Sequence, residues 1–256
     1  MELDEAVDRF KADPEASGFI IDFDGTLSAI APRPEEVEAL PGATEVLEAL
    51  AGIYPLVVVL SGRRAQEVAR LVPARGVRYA GVYGAEELAG GSLQELPESS
   101  SWRGMASRLA RDAEAMIRAE GLTGAEVEYK DVALSLHYRN AQSPDTETRL
   151  IDWAEAAAPR RGFNSVRGRK VVELRPAAVS KAAAVERIVS ETNLERAFLA
   201  GDDSADVEAM ARLIEILPAS ITVGVDSSEA PPNLGAVATH LVSAPLEVVR
   251  LLRRFV

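Results

Sequence analysis

The sequence predicts an α/β fold: a Rossmann-like core with a parallel sheet, interrupted by a smaller α+β insert. Three observations predict it. Short apolar, β-branched runs alternate with helical patterns near the start, the same alternation returns near the end, and between them the texture changes to repeated helix-and-hairpin units. A chain of 256 residues has room for one to two domains at ~150 residues each, and for a substantial core.

The elements follow in order. Residues 18–21 form a first apolar strand, residues 42–51 (GATEVLEALA) a helix, residues 55–60 (PLVVVL) a second strand, and a further helix begins at Arg63. The segment 102–120 is long and amphipathic. After it, 125–130 and 132–139 alternate in polarity around Lys130-Asp131, the signature of an antiparallel hairpin. A second helix over 145–157 precedes another strand pair, 164–167 and 169–175. The βα rhythm then resumes with a helix over 181–189, a strand over 197–200, a helix over 205–213 and a strand over 221–225. Prolines at 97 and 176 interrupt the patterns on either side of the middle, so residues 1–97 and 177–256 are expected to form the core and 98–176 the insert.

Composition narrows the chemistry. With Lys+Arg 28 against Asp+Glu 40, a net charge of -12, and no basic patch, nucleic acid and anionic membranes are poor partners. Hydrophobic content of 47% with 27% charged residues marks a folding chain. The absence of cysteine excludes disulfides, thiolate metal sites and a cysteine nucleophile, and two histidines, His137 and His240, cannot make a histidine-rich centre. Any metal must be held by oxygen. The first residues carry acids where a secretory signal carries bases, and no apolar run approaches the ~20 residues of a membrane span, so a soluble cytoplasmic protein is expected. Nothing calls for a partner chain, and a monomer is the expectation.

Two acidic motifs end apolar strands. In Asp22-Phe23-Asp24-Gly25-Thr26 the acids stand at i and i+2, at the strand end where open α/β sheets bind ligands, and Gly25 permits a sharp turn. The same letters also fit an ordinary Asp-Gly turn. In Gly201-Asp202-Asp203, with Asp206 one turn on, the acids fit either a site or a helix cap. If both strands lie in one sheet, Asp22, Asp24, Asp202, Asp203 and Asp206 converge. Like charges 4 Å apart repel by ~4 kcal/mol at an effective dielectric near 20, and a hard divalent cation such as Mg²⁺ is the natural remedy. Ser61-Gly62-Arg63 opens a helix and offers a hydroxyl and backbone amides to an anion. Lys181, at another helix start, is one of only four lysines, with Lys11, Lys130 and Lys170.

These residues stand in the order and approximate spacing of the four motifs of the haloacid dehalogenase (HAD) superfamily of aspartyl-phosphate phosphatases. In detail the chain resembles the trehalose-6-phosphate phosphatase family, through DFDGTLSAI, SGR (61–63), AGVYGAE (80–86), GAEVEYKDVALSLHYR (124–139), VVELRP (171–176) and GDD (201–203). The resemblance implies a HAD core with a C2-type cap, closing over its substrate, and a cytoplasmic Mg²⁺-dependent phosphatase acting on trehalose 6-phosphate in trehalose biosynthesis. It implies that Asp22 is the nucleophile and a metal ligand, and that Asp24 is the acid and base with its carbonyl on the metal. Thr26, Ser61 and Lys181 would hold the phosphate, and Asp202, Asp203 and Asp206 would serve the metal. Arg63, Glu128, Lys130 and Glu173 would bind substrate, the last three through sugar hydroxyls. His137 and Arg139 match family positions too, but are read here as part of a solvated polar face rather than as ligands. The chain departs from the family at Tyr83 (usually His), Ala182 (Gly), Ala205 (Thr) and Val207 (Glu). Because Tyr83 bears on the sugar pocket, another sugar phosphate such as a phosphorylated glycosylglycerate is an alternative substrate. A sugar-phosphate-binding module without turnover is a third reading.

Overall fold

In the computed structural model, which describes residues 3–31, 33, 36–168, 170–227 and 230–256, the chain forms two units, Met1–Gln94 with Ser180–Val256, and Glu95–Val179. Arg169, the expected first residue of a cap strand, lies outside the described residues.

The chain opens with helix α1 (Leu3–Ala12) and strand β1 (Ser17–Ile21), followed by α2 (Ala43–Ala51), β2 (Leu56–Leu60), α3 (Ala65–Leu71) and β3 (Arg78–Gly81). A hairpin of β4 (Glu86–Ala89) and β5 (Ser92–Glu95) ends this part. The insert contains α4 (Ser99–Glu120), β6 (Glu126–Lys130), β7 (Ala133–His137), α5 (Pro144–Ala157), β8 (Phe163–Gly168) and β9 (Val171–Pro176). The core resumes with α6 (Lys181–Ser190), β10 (Arg196–Gly201), α7 (Ser204–Ile216), β11 (Ile221–Val225), α8 (Leu234–Val237), β12 (His240–Val242) and α9 (Pro245–Leu252).

The core sheet runs β12-β11-β10-β1-β2-β3-β4-β5, parallel from β12 to β3, with β4 antiparallel to β3. Every residue of β1 and β2 is buried. Side chains alternate across a strand, so these apolar runs divide between two packed faces. Phe19, Ile21, Val57, Val59 and Phe198 join α1, α2, α3 and α9 on one face, and Ile20, Val58, Leu60 and Leu199 join α6 and α7 on the other. On the first face the rings of Phe10, Phe19, Tyr54, Phe198 and Phe255 meet mainly edge-to-face at 4.8–5.6 Å. Lys11 Nζ donates to the carbonyls of Arg254 and Val256 at 3.0 Å, tying α1 to the end of the chain.

Chain order matters most at the middle of this sheet. From β1 the chain moves to β2 and β3 on one side, and after the insert it fills β10, β11 and β12 on the other. Such a switch point leaves a crevice beyond the strand C-termini. The register pairs Ile21 with Ala200, which brings the residues after β1 alongside those after β10.

The insert sheet is antiparallel, in the order β6-β7-β9-β8. Leu134, Leu136, Val172 and Leu174 pack on Ala106, Leu109, Ala113 and Leu150 of α4 and α5, while the intervening residues carry the polar side chains. The turn after β6 consists of Asp131 and Val132, because Lys130 still pairs with Ala133; Asp131 takes φ 65°, which aspartate tolerates better than most residues.

Candidate active site

Asp22 follows β1 directly, and its N–H donates to Ala200 O at 2.9 Å, extending the ladder by one bond. The backbone then doubles back, with Leu27 N and Ser28 N both donating to Phe23 O. Gly25 is required twice over: its φ is +76°, and a Cβ there would lie 2.2 Å from Asp202 Oδ2. Gly201 is confined likewise, since its Cβ would meet Asp206 Cγ at 2.1 Å. Gly25 lets the first acidic loop close on the second, and Gly201 lets Asp206 fold back over its own loop.

Lys181 lies between them. Ser180 caps α6, accepting from Ala183 N at 3.1 Å, and the following lysine is only 2% exposed. Its Nζ stands 2.8 Å from Asp22 Oδ1, 2.7 Å from Asp206 Oδ1 and 3.7 Å from Asp203 Oδ1. Asp206 Oδ2 accepts from Asp202 N and Asp203 N, each at 3.1 Å, while Asp203 Oδ1 accepts from Asp206 N at 2.8 Å in a capping box opening α7. Asp203 is thus a helix cap, and Asp206 binds the backbone of the loop that carries Asp202.

One carboxylate oxygen from each of Asp22, Asp202 and Asp206 lies within 4.8 Å of the others, and all three side chains are buried. Burial pushes the Asp22 carboxyl up to about 8 despite Lys181, with Asp203 and Asp202 adding to the effect. Asp206 is held well above the usual carboxylate range, by burial first and then by Asp203 and Asp22. Burial works against the Lys181 ammonium, yet Asp203, Asp206 and Asp22 keep it well above its ordinary value. One ammonium does not balance this many acids. An all-oxygen, buried and charge-deficient donor set fits a hard divalent cation.

The other core residues stand around this cluster. Thr26 is fully buried and its Oγ1 has no hydrogen-bond partner among the described residues, an omission that costs about 1–3 kcal/mol. Ser61 Oγ accepts from Arg63 N at 3.1 Å. Arg63 grips Asp24 through two bonds, Nε to Oδ2 at 2.8 Å and Nη2 to Oδ1 at 2.9 Å, and also pairs with Glu67. Its guanidinium, expected on the substrate, is thus committed to the carboxylate expected to move the proton.

Sequence reasoning missed the support beneath Ser61. Ser61 O accepts from Tyr83 N at 2.9 Å and Arg63 O from Val82 N at 2.8 Å. Val82 and Tyr83 hold φ of 48° and 56°, a left-handed backbone on the order of 1–3 kcal/mol above an ordinary one for each residue. Tyr83 packs so closely on Gly62 that a Cβ there would lie 2.7 Å from its hydroxyl oxygen. Buried Glu86 accepts from Ala65 N at 2.7 Å and from Arg64 Nε at 3.0 Å, capping α3 from outside its own sequence. Of the departures, Val207 packs into the second core face, and Ala205 is buried.

The insert holds a second polar cluster. Lys130 Nζ stands 3.3 Å from Glu128 Oε2 and 3.5 Å from Glu173 Oε1. Although burial favours the neutral acid, the His137 hydrogen bond and Lys130 hold Glu128 down at about 2. Lys130 is raised despite its own burial by Glu173 and Glu128.

The trehalose-phosphatase family model matches residues 20–233, which spans both units and every site residue named above. The chain belongs to the trehalose-phosphatase family. An uncharacterized glycosyl hydrolase of Mycobacterium tuberculosis is 39% identical over 158 residues, 61% of this chain and 12% of that protein. The trehalose-phosphate phosphatase of Mycobacterium marinum is 35% identical over 157 residues, 60% of this chain and 39% of that protein. The chain thus spans well under half the length of these curated relatives. The solved C-terminal domain of Candida albicans trehalose-6-phosphate phosphatase superposes with a TM-score of 0.81 at 20% identity, covering 100% of this chain and 97% of that one. The architecture, a parallel-sheet α/β core with an inserted α+β unit, is shared with that structure.

Proposed function

We propose that this trehalose-phosphatase family member is a Mg²⁺-dependent phosphatase that hydrolyses trehalose 6-phosphate to trehalose and inorganic phosphate. The observation that carries the reading is the buried contact of Lys181 with Asp22 at 2.8 Å, at the switch point and beside two further buried acids. Asp22, Asp202 and the Asp24 carbonyl would hold the cation, with Asp206 and Asp203 shaping the loop around it. When bound, Mg²⁺ supplies the missing positive charge, which favours the ionised Asp22 and neutralises phosphoryl oxygens.

Asp22 attacks phosphorus through a carboxylate oxygen, and the bond from phosphorus to the sugar oxygen breaks. Asp24 gives that oxygen its proton. The same residue then takes a proton from the water that attacks the aspartyl phosphate, so free phosphate leaves and Asp22 is restored. Lys181, Ser61 and the orphaned Thr26 hydroxyl hold phosphoryl oxygens, and Arg63 positions Asp24. Glu128, Lys130 and Glu173 bind sugar hydroxyls. Phosphate release is measured on trehalose 6-phosphate, glucosylglycerate phosphate and other sugar phosphates, with Mg²⁺ and with EDTA. Preferential, Mg²⁺-dependent release from trehalose 6-phosphate is expected. Preference for another ester would replace the substrate, and no release from any would replace the enzyme with a binding module.

A further inference from the structure

The polar face of the insert sheet contains two residues that the proposed mechanism does not use, and both lie on β7, the strand between β6 and β9. Register places Ser135 opposite Glu128 on one side and Glu173 on the other, with His137 two residues along on the same face. Ser135 Oγ donates to Glu173 Oε1 at 3.2 Å. His137 Nε2 stands 2.9 Å from Glu128 Oε2; an ionised carboxylate only accepts, so Nε2 is the donor in this bond. Lys130 touches the same two oxygens, Oε2 of Glu128 and Oε1 of Glu173. Each acid is therefore held twice through one oxygen.

We infer that Ser135 and His137 are positioning residues that fix the carboxylates of Glu173 and Glu128 so that the second oxygen of each meets a sugar hydroxyl. Physical chemistry explains why such holders are needed. Glutamate has three side-chain torsions, and a hydroxyl selects a sugar only if its acceptor is already in place; otherwise binding must also order the side chain. The Glu128 side chain is 49% exposed, so packing does not hold it. Lysine alone is a flexible point charge and fixes distance better than direction. A histidine ring on a paired strand adds direction, reaching Glu128 diagonally across the ladder. Ser135 is 1% exposed and does the same for Glu173 from beneath. This inference rests on the reading of Glu128 and Glu173 as sugar ligands.

The test compares kcat and KM for trehalose 6-phosphate and p-nitrophenyl phosphate in His137→Phe, His137→Gln, Ser135→Ala, Glu128→Ala, Glu173→Ala and the double variant His137→Phe with Glu128→Ala. His137→Phe should lower kcat/KM for trehalose 6-phosphate about tenfold more than for the artificial ester, chiefly through KM, as expected on losing a hydrogen bond to a charged group. His137→Gln, which keeps an N–H donor, should recover most of that loss, and Ser135→Ala should show a smaller selective loss. In the Glu128→Ala background, His137→Phe should cost nothing further. Equal losses on both substrates, or an undiminished effect of His137→Phe in that background, would assign these residues to the fold and overturn the inference. If Glu128→Ala and Glu173→Ala are selective but His137→Phe and Ser135→Ala are not, the positioning role falls and the sugar-binding reading stands. If neither glutamate variant is selective, both fall.

Discussion

The core and the insert each gather acids around a lysine, and they do so to opposite effect. Around Lys181, three carboxylates are buried and the balance is short of positive charge, so Asp22 and Asp206 are pushed towards their protonated forms. Around Lys130, each acid has a second donor, and Glu128 is held down at about 2. The same residue types therefore make one cluster short of positive charge and another in which each carboxylate has two donors. The difference lies in burial and in the number of donors, both set by backbone register.

Asp22→Asn tests this contrast most severely. Turnover should be abolished, because an amide does not replace the carboxylate nucleophile. The metal-free variant should also melt no lower than the parent at pH 8, since a disfavoured buried charge has gone. A clear fall in melting temperature would show that Asp22 is a net stabiliser and would break the comparison. Asp24→Asn comes next, with a loss of ~10²–10⁴-fold in kcat expected of an acid–base residue; a change confined to metal affinity would remove that role. Glu128→Ala and Lys130→Ala should lower kcat/KM for trehalose 6-phosphate at least tenfold more than for p-nitrophenyl phosphate, because an unpartnered sugar hydroxyl costs ~1–3 kcal/mol. Equal losses would return both to a structural role.

Stability against pH tests the same contrast without a substitution. A carboxyl raised from its ordinary value to about 8 binds more protons folded than unfolded. Metal-free protein should accordingly lose stability as pH rises from about 4 towards 8. Mg²⁺ competes with that proton, so its stabilisation, read as a melting shift against EDTA, should grow over the same interval. Glu128 has the opposite sign: its contribution is present above its unfolded pKa and fades as pH falls towards about 2. A Mg²⁺ shift independent of pH would mean that the cation does not displace a proton from the cluster.

Much of the core was legible because its signals are local. Apolar runs at 18–21, 55–60 and 197–200 are strands in the structure, and the acids follow them directly, so one assumption about a shared sheet brings Asp22 and Asp202 together. Helix α1 and the β4–β5 hairpin were not read, the latter because Glu86, Glu87 and Gln94 break any apolar pattern in strands of four residues. The pairing of Arg63 with Asp24 spans 39 positions and depends on how β2 lies beside β1. The left-handed turn at Val82 was invisible for a deeper reason. A β-branched residue argues against that conformation, and hydrogen bonds to the distant Ser61–Arg63 loop help to hold it there. At Asp203, the helix-cap reading is the one that the hydrogen bonds display.

The position of β1 at the middle of the sheet also governs the order in which the molecule is completed during synthesis. Asp22 leaves the ribosome first, in a strand whose neighbour β10 does not yet exist, and the whole insert is translated before Lys181 appears. Domains generally fold as units as the chain emerges, and pairings between distant segments form late. The lysine then precedes Asp202, Asp203 and Asp206 along the chain. The nascent protein therefore carries its neutralising charge before Asp202, Asp203 and Asp206 join Asp22, and the acidic cluster is complete only once β10 and the start of α7 have been made.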